Sequence, residues 1–264
     1  RYRPLYHYFR QNFSQVTNPP IDSLRENKVM SLKTRFGNLG NILDFNNLTE
    51  ENIYVLNSPI LSNSQFQKFI TYFGNNYKIF DCTFKNGETL EDALNRLKKE
   101  TEIAVRQGIT QIVISDKDIS DDKYPIPTLL SVGAIHTNLV KLGLRGYVSI
   151  NVQSGECLDT HSFATVIGVG ATTVNPYLAF DSLYERFKKK LFKNLSFEDC
   201  IVRYIKSVNL GLLKIMSKMG ISVLSSYRGG CNFETVGLSR TVVNEYFPGT
   251  VSYTHLTLPT NSNV

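Results

Sequence analysis

Between residues 53 and 180, short apolar runs take turns with longer amphipathic ones, and that alternation leaves the chain few architectures. Ile53-Tyr54-Val55-Leu56 stops at Asn57-Ser58-Pro59, and Ser64 is placed to cap a helix carrying Phe66, Phe69, Ile70 and Phe73. Tyr77 to Asp81 reads as a strand. Leu90, Leu94, Leu97, Ile103 and Ala104 recur at helical spacing, which predicts a helix from Leu90 to Gln107 closed by Gly108. Gln111 to Ile114 reads as a buried strand ending at Ser115-Asp116. A second helix is expected from Pro127 to Lys141, with proline in the first turn and Gly143 beyond the last. Tyr147 to Val152 gives a third strand, and Asp159 caps a helix from His161 to Val169. Strands that alternate with helices form a parallel sheet covered on both faces. The expected fold class is α/β, a parallel sheet with alternating helices, followed by a mainly helical C-terminal segment. That segment should hold helices from Leu183 to Phe192, from Phe197 to Met219 behind a Ser196 cap, and from Ser239 to Phe247. A short strand at Ile221 to Leu224 and a short helix starting at Gly229-Gly230 complete it.

The flanks differ in texture. Arg1 to Arg10 interleaves basic and aromatic residues, as a truncated helix with an aromatic core face would. Pro19-Pro20 makes Gln15 to Asp22 a rigid extended segment, after which Asp22 or Ser23 can cap a short helix holding Leu24, Arg25 and Glu26. Gly37 to Asn47 reads as loop. Four regions follow: 1–52 extended and loop-rich, 53–180 the α/β core, 181–250 helical, and 251–264 a tail.

Charge and cysteine usage exclude several classes. With 29 Lys and Arg against 23 Asp and Glu, the net charge of +6 is mild for 264 residues. The runs Lys98-Lys99 and Lys188-Lys189-Lys190 read as solvated helix faces, so no nucleic-acid partner is expected. A chain 42% apolar and 20% charged is globular, and no apolar run approaches the roughly 20 residues that cross a bilayer. The opening residues lack both Met and a signal peptide's apolar stretch, so the chain is expected to begin within a longer protein or to be processed. Cys82, Cys157, Cys200 and Cys231 share no C-x-x-C spacing, and His7, His136, His161 and His255 are scattered. Reduced thiols and no metal site are expected.

In a parallel sheet the loops after the strand C-termini face ligands. Here these are Asp81-Cys82, Ser115-Asp116-Lys117 and Gln153-Ser154-Gly155-Glu156. Asp116 and Lys117 suit an anion or polar ligand, and equally suit a helix cap or a loop pair. Gly168-x-Gly170 lacks the third glycine of a nucleotide fingerprint and follows a helix, so it reads as a helix end. His161 reads as a core or surface histidine, and Cys231 beside Gly229-Gly230 as a structural thiol. Glu156 and Asp159 carry no mark of an acid/base pair. No catalytic constellation emerges.

Four long stretches, in order, nevertheless resemble the large chain of glutamate synthase. The first is Phe9-Arg10-Gln11-Asn12-Phe13-Ser14-Gln15-Val16-Thr17-Asn18-Pro19-Pro20-Ile21-Asp22-Ser23-Leu24-Arg25-Glu26 with Val29-Met30-Ser31-Leu32. The second is Pro125-Ile126-Pro127-Thr128-Leu129-Leu130-Ser131-Val132-Gly133-Ala134-Ile135-His136. The third runs from Gly155-Glu156 through His161-Ser162-Phe163-Ala164 and Gly168-Val169-Gly170-Ala171 to Val174-Asn175-Pro176-Tyr177-Leu178-Ala179-Phe180. The fourth is Gly211-Leu212-Leu213-Lys214-Ile215-Met216-Ser217-Lys218-Met219-Gly220-Ile221-Ser222 with Ser226-Tyr227-Arg228-Gly229-Gly230 and Phe233-Glu234.

The resemblance places the chain in that family's central domain and the segment leading to its flavin domain. It implies a parent oxidoreductase of ammonia assimilation and glutamate biosynthesis, an iron–sulfur flavoprotein that makes two glutamates from glutamine, 2-oxoglutarate and two electrons. The parent's FMN and iron–sulfur cluster would lie outside this fragment, as would the amidotransferase cysteine. Partners implied are the amidotransferase and FMN domains of the same parent chain, and ferredoxin or an NADPH-oxidising small subunit. The implied location is cytoplasmic, or plastid in a eukaryote. Met30 is the residue the resemblance points to near FMN. The central domain would scaffold the two active sites and border the ammonia tunnel, with no turnover of its own. The chain departs from the family pattern at Thr137-Asn138, at Ser162 and at Gly230-Cys231-Asn232. After Thr250 it departs altogether, and Val251 to Val264 resembles translated adapter read-through, expected to pack against nothing. Two rival readings stand beside this one: a stand-alone α/β domain binding an anionic metabolite at the Asp81, Asp116 and Glu156 loops, and a basic interaction module.

Overall fold

The computed structural model describes residues 3–13, 22, 24–37, 43 and 53–253. Most of the Pro-Pro segment, most of the Gly37 to Asn47 loop and the tail beyond Tyr253 lie outside the described residues. After a 3-10 turn at Leu5–Tyr8 come β1 (Phe9–Gln11), α1 (Glu26–Val29), β2 (Thr34–Phe36), β3 (Tyr54–Leu56), α2 (Asn63–Phe73), β4 (Tyr77–Asp81) and β5 (Thr83–Lys85). Next are α3 (Leu90–Arg106), β6 (Gln111–Ser115), β7 (Lys123–Pro125), α4 (Thr128–Lys141), β8 (Ser149–Gln153), α5 (Thr160–Val169), β9 (Thr173–Asn175) and α6 (Tyr177–Lys188). The chain continues with α7 (Phe197–Lys218), α8 (Leu224–Tyr227), β10 (Phe233–Val236), α9 (Arg240–Tyr246) and β11 (Val251–Tyr253).

The expected α/β core is present: β4, β6, β8 and β9 form one parallel sheet in that order. Its two faces differ in chemistry. Ile112, Ile114, Ile150, Val152 and Val174 pack into the main core with Leu94, Leu97, Leu129, Val132, Phe163 and Ile167 of α3, α4 and α5. On the opposite face Val113 joins a second cluster, with Phe36, Leu56, Leu61, Phe66 and Phe69, and Tyr77 packs against it. Gln111, Ser115, Asn151, Gln153, Thr173 and Asn175 on that face are polar and bonded across strands. Thr173 Oγ1 donates to Asn151 Oδ1 at 2.7 Å, and Asn151 Nδ2 to Gln111 Oε1 at 3.2 Å. One row on, Ser115 Oγ donates to Gln153 Oε1 at 2.8 Å, and Gln153 Nε2 to Asn175 Oδ1 at 3.2 Å. Buried polar groups satisfied this way avoid the desolvation cost of leaving them unpaired.

Local signals place the helices. Capping boxes start α5 at Asp159 with Ser162 and α7 at Ser196 with Asp199. The cap of α2 is Ser62, not Ser64: Ser62 Oγ accepts from Gln65 N at 3.3 Å. Both serines have Gln three residues on, but only Ser62 has an apolar predecessor, Leu61, buried in the same cluster as Phe66. That staple decides the register.

Four other expectations are corrected. α6 begins at Tyr177, six residues before Leu183, because Ala179 and Phe180 bury its first turn. Ile221 to Leu224 is no strand: Val223 makes one isolated bridge to Ser31, and Leu224 opens α8. Gly229-Gly230 starts no helix; Gly229 at φ +70° and Cys231 at φ +48° turn the chain into β10. The N-terminal residues form the 3-10 turn and β1, which pairs antiparallel with β10 and sets Phe9 against Phe233 and Phe247. The tail also departs from expectation over its first three residues, since β11 pairs parallel with β10. The bonding is largely main-chain, with Gly237 N donating to Tyr253 O at 3.0 Å while Val251 and Tyr253 stay exposed.

The main core closes around α5, whose residues Ser162 to Val169 are all buried. Helices α4 and α7 flank it, and the β10 strand presses on its end. A Cβ on Gly168 would stand 2.6 Å from the Phe233 ring. Gly168→Ala is expected to cost about 1–3 kcal/mol in chemical denaturation through overpacking. Gly146→Ala, with open space around the site, should stay within about 0.5 kcal/mol.

Candidate functional site at the C-terminal edge of the sheet

The loops expected to face a ligand do come together, but they bond to one another. Asp116 is buried and accepts from Ser154 Oγ at 2.9 Å and from Gly155 N at 3.0 Å. Ser154 Oγ lies 2.5 Å from Thr128 Oγ1. Glu156 Oε2 accepts from Thr128 N at 2.8 Å, so a carboxylate from the neighbouring loop caps α4, whose own N-cap is Pro127. A negative charge there also meets the positive end of the helix dipole. Asp81 turns to Thr83 and to Lys123, whose Nζ is 3.2 Å from Oδ2. The Lys117 ammonium lies over the Tyr177 ring, 6.0 Å from its centroid.

Burial pushes the Asp116 and Glu156 carboxyls above their ordinary range, against the hydrogen bonds that favour their charged forms. It raises the Cys82 thiol to about 12 and moves Cys157 up as well, so neither is a ready thiolate. The space between Cys82, Asp116 and Thr128 is too narrow for water. Around Asp116 the edge is a closed polar knot, while Asp81 borders a separate cavity of about 590 Å³ with Lys85, Glu88, Arg96 and Lys123.

The other sequence candidates are also structural. His161 Nε2 sits 3.1 Å from Tyr6 O and 3.0 Å from Phe9 O, tying the N-terminal segment to α5. Burial raises the Cys231 thiol. Gly168-x-Gly170 is the end of α5, with Gly170 at φ +147° packed on the His136 ring. Met30 is 7% exposed and belongs to the main core, beside the Ser31–Val223 bridge. It lines none of the cavities described here. Among the described residues no group of three or more His, Cys, Asp or Glu could hold a metal, and the four buried cysteines do not fit an iron–sulfur cluster. No helix among the described residues is long and apolar enough to cross a membrane.

What the sequence missed is the setting of His136. Arg145 Nε donates to His136 Nδ1 at 3.1 Å, while Nη2 donates to Gly170 O at 2.9 Å and Nη1 to Val148 O. Burial and then the Arg145 charge hold His136 down at about 4.

These elements define a parallel α/β domain whose Asp116 and Glu156 carboxylates bond to neighbouring loop and helix-start groups. The glutamate synthase central domain family matches residues 1–239. The NADPH-type large chain of Azospirillum brasilense is 52% identical over 255 residues, covering 96% of this chain and 17% of that protein. The Bacillus subtilis large chain is 42% identical over 257 residues, 96% of this chain and 16% of that one. The chloroplastic ferredoxin-dependent glutamate synthase of Spinacia oleracea is 41% identical over 263 residues, 94% of this chain and 16% of that one. The chain belongs to the glutamate synthase central domain family. It spans about a sixth of the length of these relatives.

Two outcomes follow from this geometry. Asp116→Ala strips the acceptor from Ser154 and Gly155 and should cost about 2–3 kcal/mol in denaturant unfolding. His136 stays neutral in the fold while the unfolded chain protonates, so its stabilisation is complete above pH 6.5 and fades as pH falls toward 4. The loss over that window should be about 3 kcal/mol, and His136→Gln should remove it. Asp116 and Glu156 act with opposite sign, gaining protons earlier when folded, so the difference between wild type and His136→Gln isolates the imidazole.

Proposed function

We propose that the chain is the structural core between the two active sites of a glutamate synthase, holding the amidotransferase and FMN domains in register and bordering the ammonia route, without turnover of its own. The internal bonding of Asp116 and Glu156 at the C-terminal edge of the sheet carries this reading. The residues placed to react in an α/β enzyme are spent here as acceptors and caps. At Asp116 the rival anionic-metabolite reading meets a buried carboxylate in a space too narrow for water, and burying an unpaired anion beside it is costly.

In this reading the parent chain takes glutamine and 2-oxoglutarate to glutamate. FMN and an iron–sulfur cluster held elsewhere in that chain supply the electron transfer. The segment around α1 faces the flavin domain, with Met30 anchoring it from inside the core. The relatives are named for NADPH, NADH or ferredoxin, and in this reading the parent draws its electrons from one of these. A chloroplast location is named for the plant relative, and the parent works in the cytoplasm or a plastid accordingly.

The test is glutamine-dependent glutamate formation. The 264-residue chain alone should give none with either reductant, and the parent enzyme from the same source should give full activity. Turnover by the isolated chain would refute the scaffold reading.

A further inference from the structure

Another cavity lies at the opposite edge of the sheet. Thr110 and Gln111 at the start of β6, Ser149 at the start of β8, and Thr172 before β9 border a space of about 950 Å³. Arg35, Arg145 and Arg228 converge on it, and no Asp or Glu is among the described residues that line it. Among the described residues neither Arg145 nor Arg228 has a salt-bridge partner.

The three arginines are held differently. Arg145 is braced from behind by His136 Nδ1, Val148 O and Gly170 O. Those three bonds leave two of its five N–H groups unspent. His136 must be neutral to accept this bond, so the brace adds no charge to balance the guanidinium. Arg228 Nε is buried and has no hydrogen-bond partner among the described residues. Its Nη2 reaches only Thr34 Oγ1, at 3.5 Å. Arg35 is exposed at the rim, next to Phe36 and Gly37. Burial lowers both inner guanidiniums to about 10, and the charge of Arg228 adds to the burial of Arg145. Two partly desolvated cations facing one space, with no acidic partner among the described residues, raise the free energy of the folded chain.

We propose that this cavity binds a small oxyanion, a carboxylate or a phosphate, gripped by Arg145 and Arg228 and covered at the rim by Arg35. The guanidinium fork matches two oxygens of either group. Donors from Ser149 and Gln111 stand at the same mouth. The site is independent of the scaffold reading, since it requires only the fold described above.

The experiment uses the full 264-residue chain at constant ionic strength. Inorganic phosphate and citrate are titrated separately by calorimetry, with chloride as the control, and thermal melts run in parallel. Saturable binding of one or both anions, with a melting temperature that rises with anion concentration, is expected. The stronger of the two identifies the headgroup. Arg228→Gln should weaken binding at least tenfold, and Arg228→Lys should recover only part of the loss, because an ammonium lacks the fork. Arg35→Gln, at an exposed position that does not endanger folding, should weaken binding a few-fold. Chloride matching both anions, no saturation with either at millimolar concentration, or unchanged binding in both Arg228→Gln and Arg35→Gln would overturn the proposal. In that case the arginines are neutralised by an acidic side chain of the protein itself.

Discussion

Everything in this domain is built around a helix that touches no water along most of its length. From Ser162 to Val169, α5 has the sheet beneath it, α4 and α7 beside it and β10 at its end. A helix apolar all round is stable only when every side is covered, so its neighbours are fixed by its burial. Two glycines near its end let that happen, one admitting the Phe233 ring and the other the His136 ring. The same contact seats His136 where it braces Arg145. The hydrophobic centre and the charged N-terminal edge are thus joined by a short run of side chains.

The sheet divides its labour between faces. One is apolar and packs on helices. The other carries two buried polar rows, Gln111–Asn151–Thr173 and Ser115–Gln153–Asn175, that cross the strands. Such rows stay favourable only in one register, because a slip of one residue would bury amides against Ile112 or Ile150 without partners. The polar face therefore contributes specificity of pairing, and the apolar face contributes most of the stability.

The fold was readable in the sequence wherever an element was long. Leu90 to Gln107, Pro127 to Lys141 and the Asp159 and Ser196 caps all stand close to where periodicity and capping put them. Three-residue strands such as β1, β5, β7 and β9 were not readable, since they are too short to show a period and exist through tertiary pairing. The carboxylate loops were placed correctly at the C-terminal edge, yet their use as caps and acceptors depends on contacts 26 to 39 residues apart. The arginine cavity was invisible for the same reason: Arg35, Arg145 and Arg228 have no common motif and meet only once β2, the 3-10 turn at Arg145–Tyr147 and α8 are in place. The family resemblance reached further than periodicity because it reads many positions jointly.

The way β11 joins β10 has its own consequence. Its backbone registers Val251, Ser252 and Tyr253 against Glu234, Thr235 and Val236, while the outer side chains face solvent. Such a ladder asks of the added segment only extended backbone with free N–H and C=O groups. Side-chain identity there contributes little, so the rim of β10 is permissive. It is a splice point in the architecture, a place where different polypeptides could be grafted after Thr250 without the rest of the domain having to be rewritten.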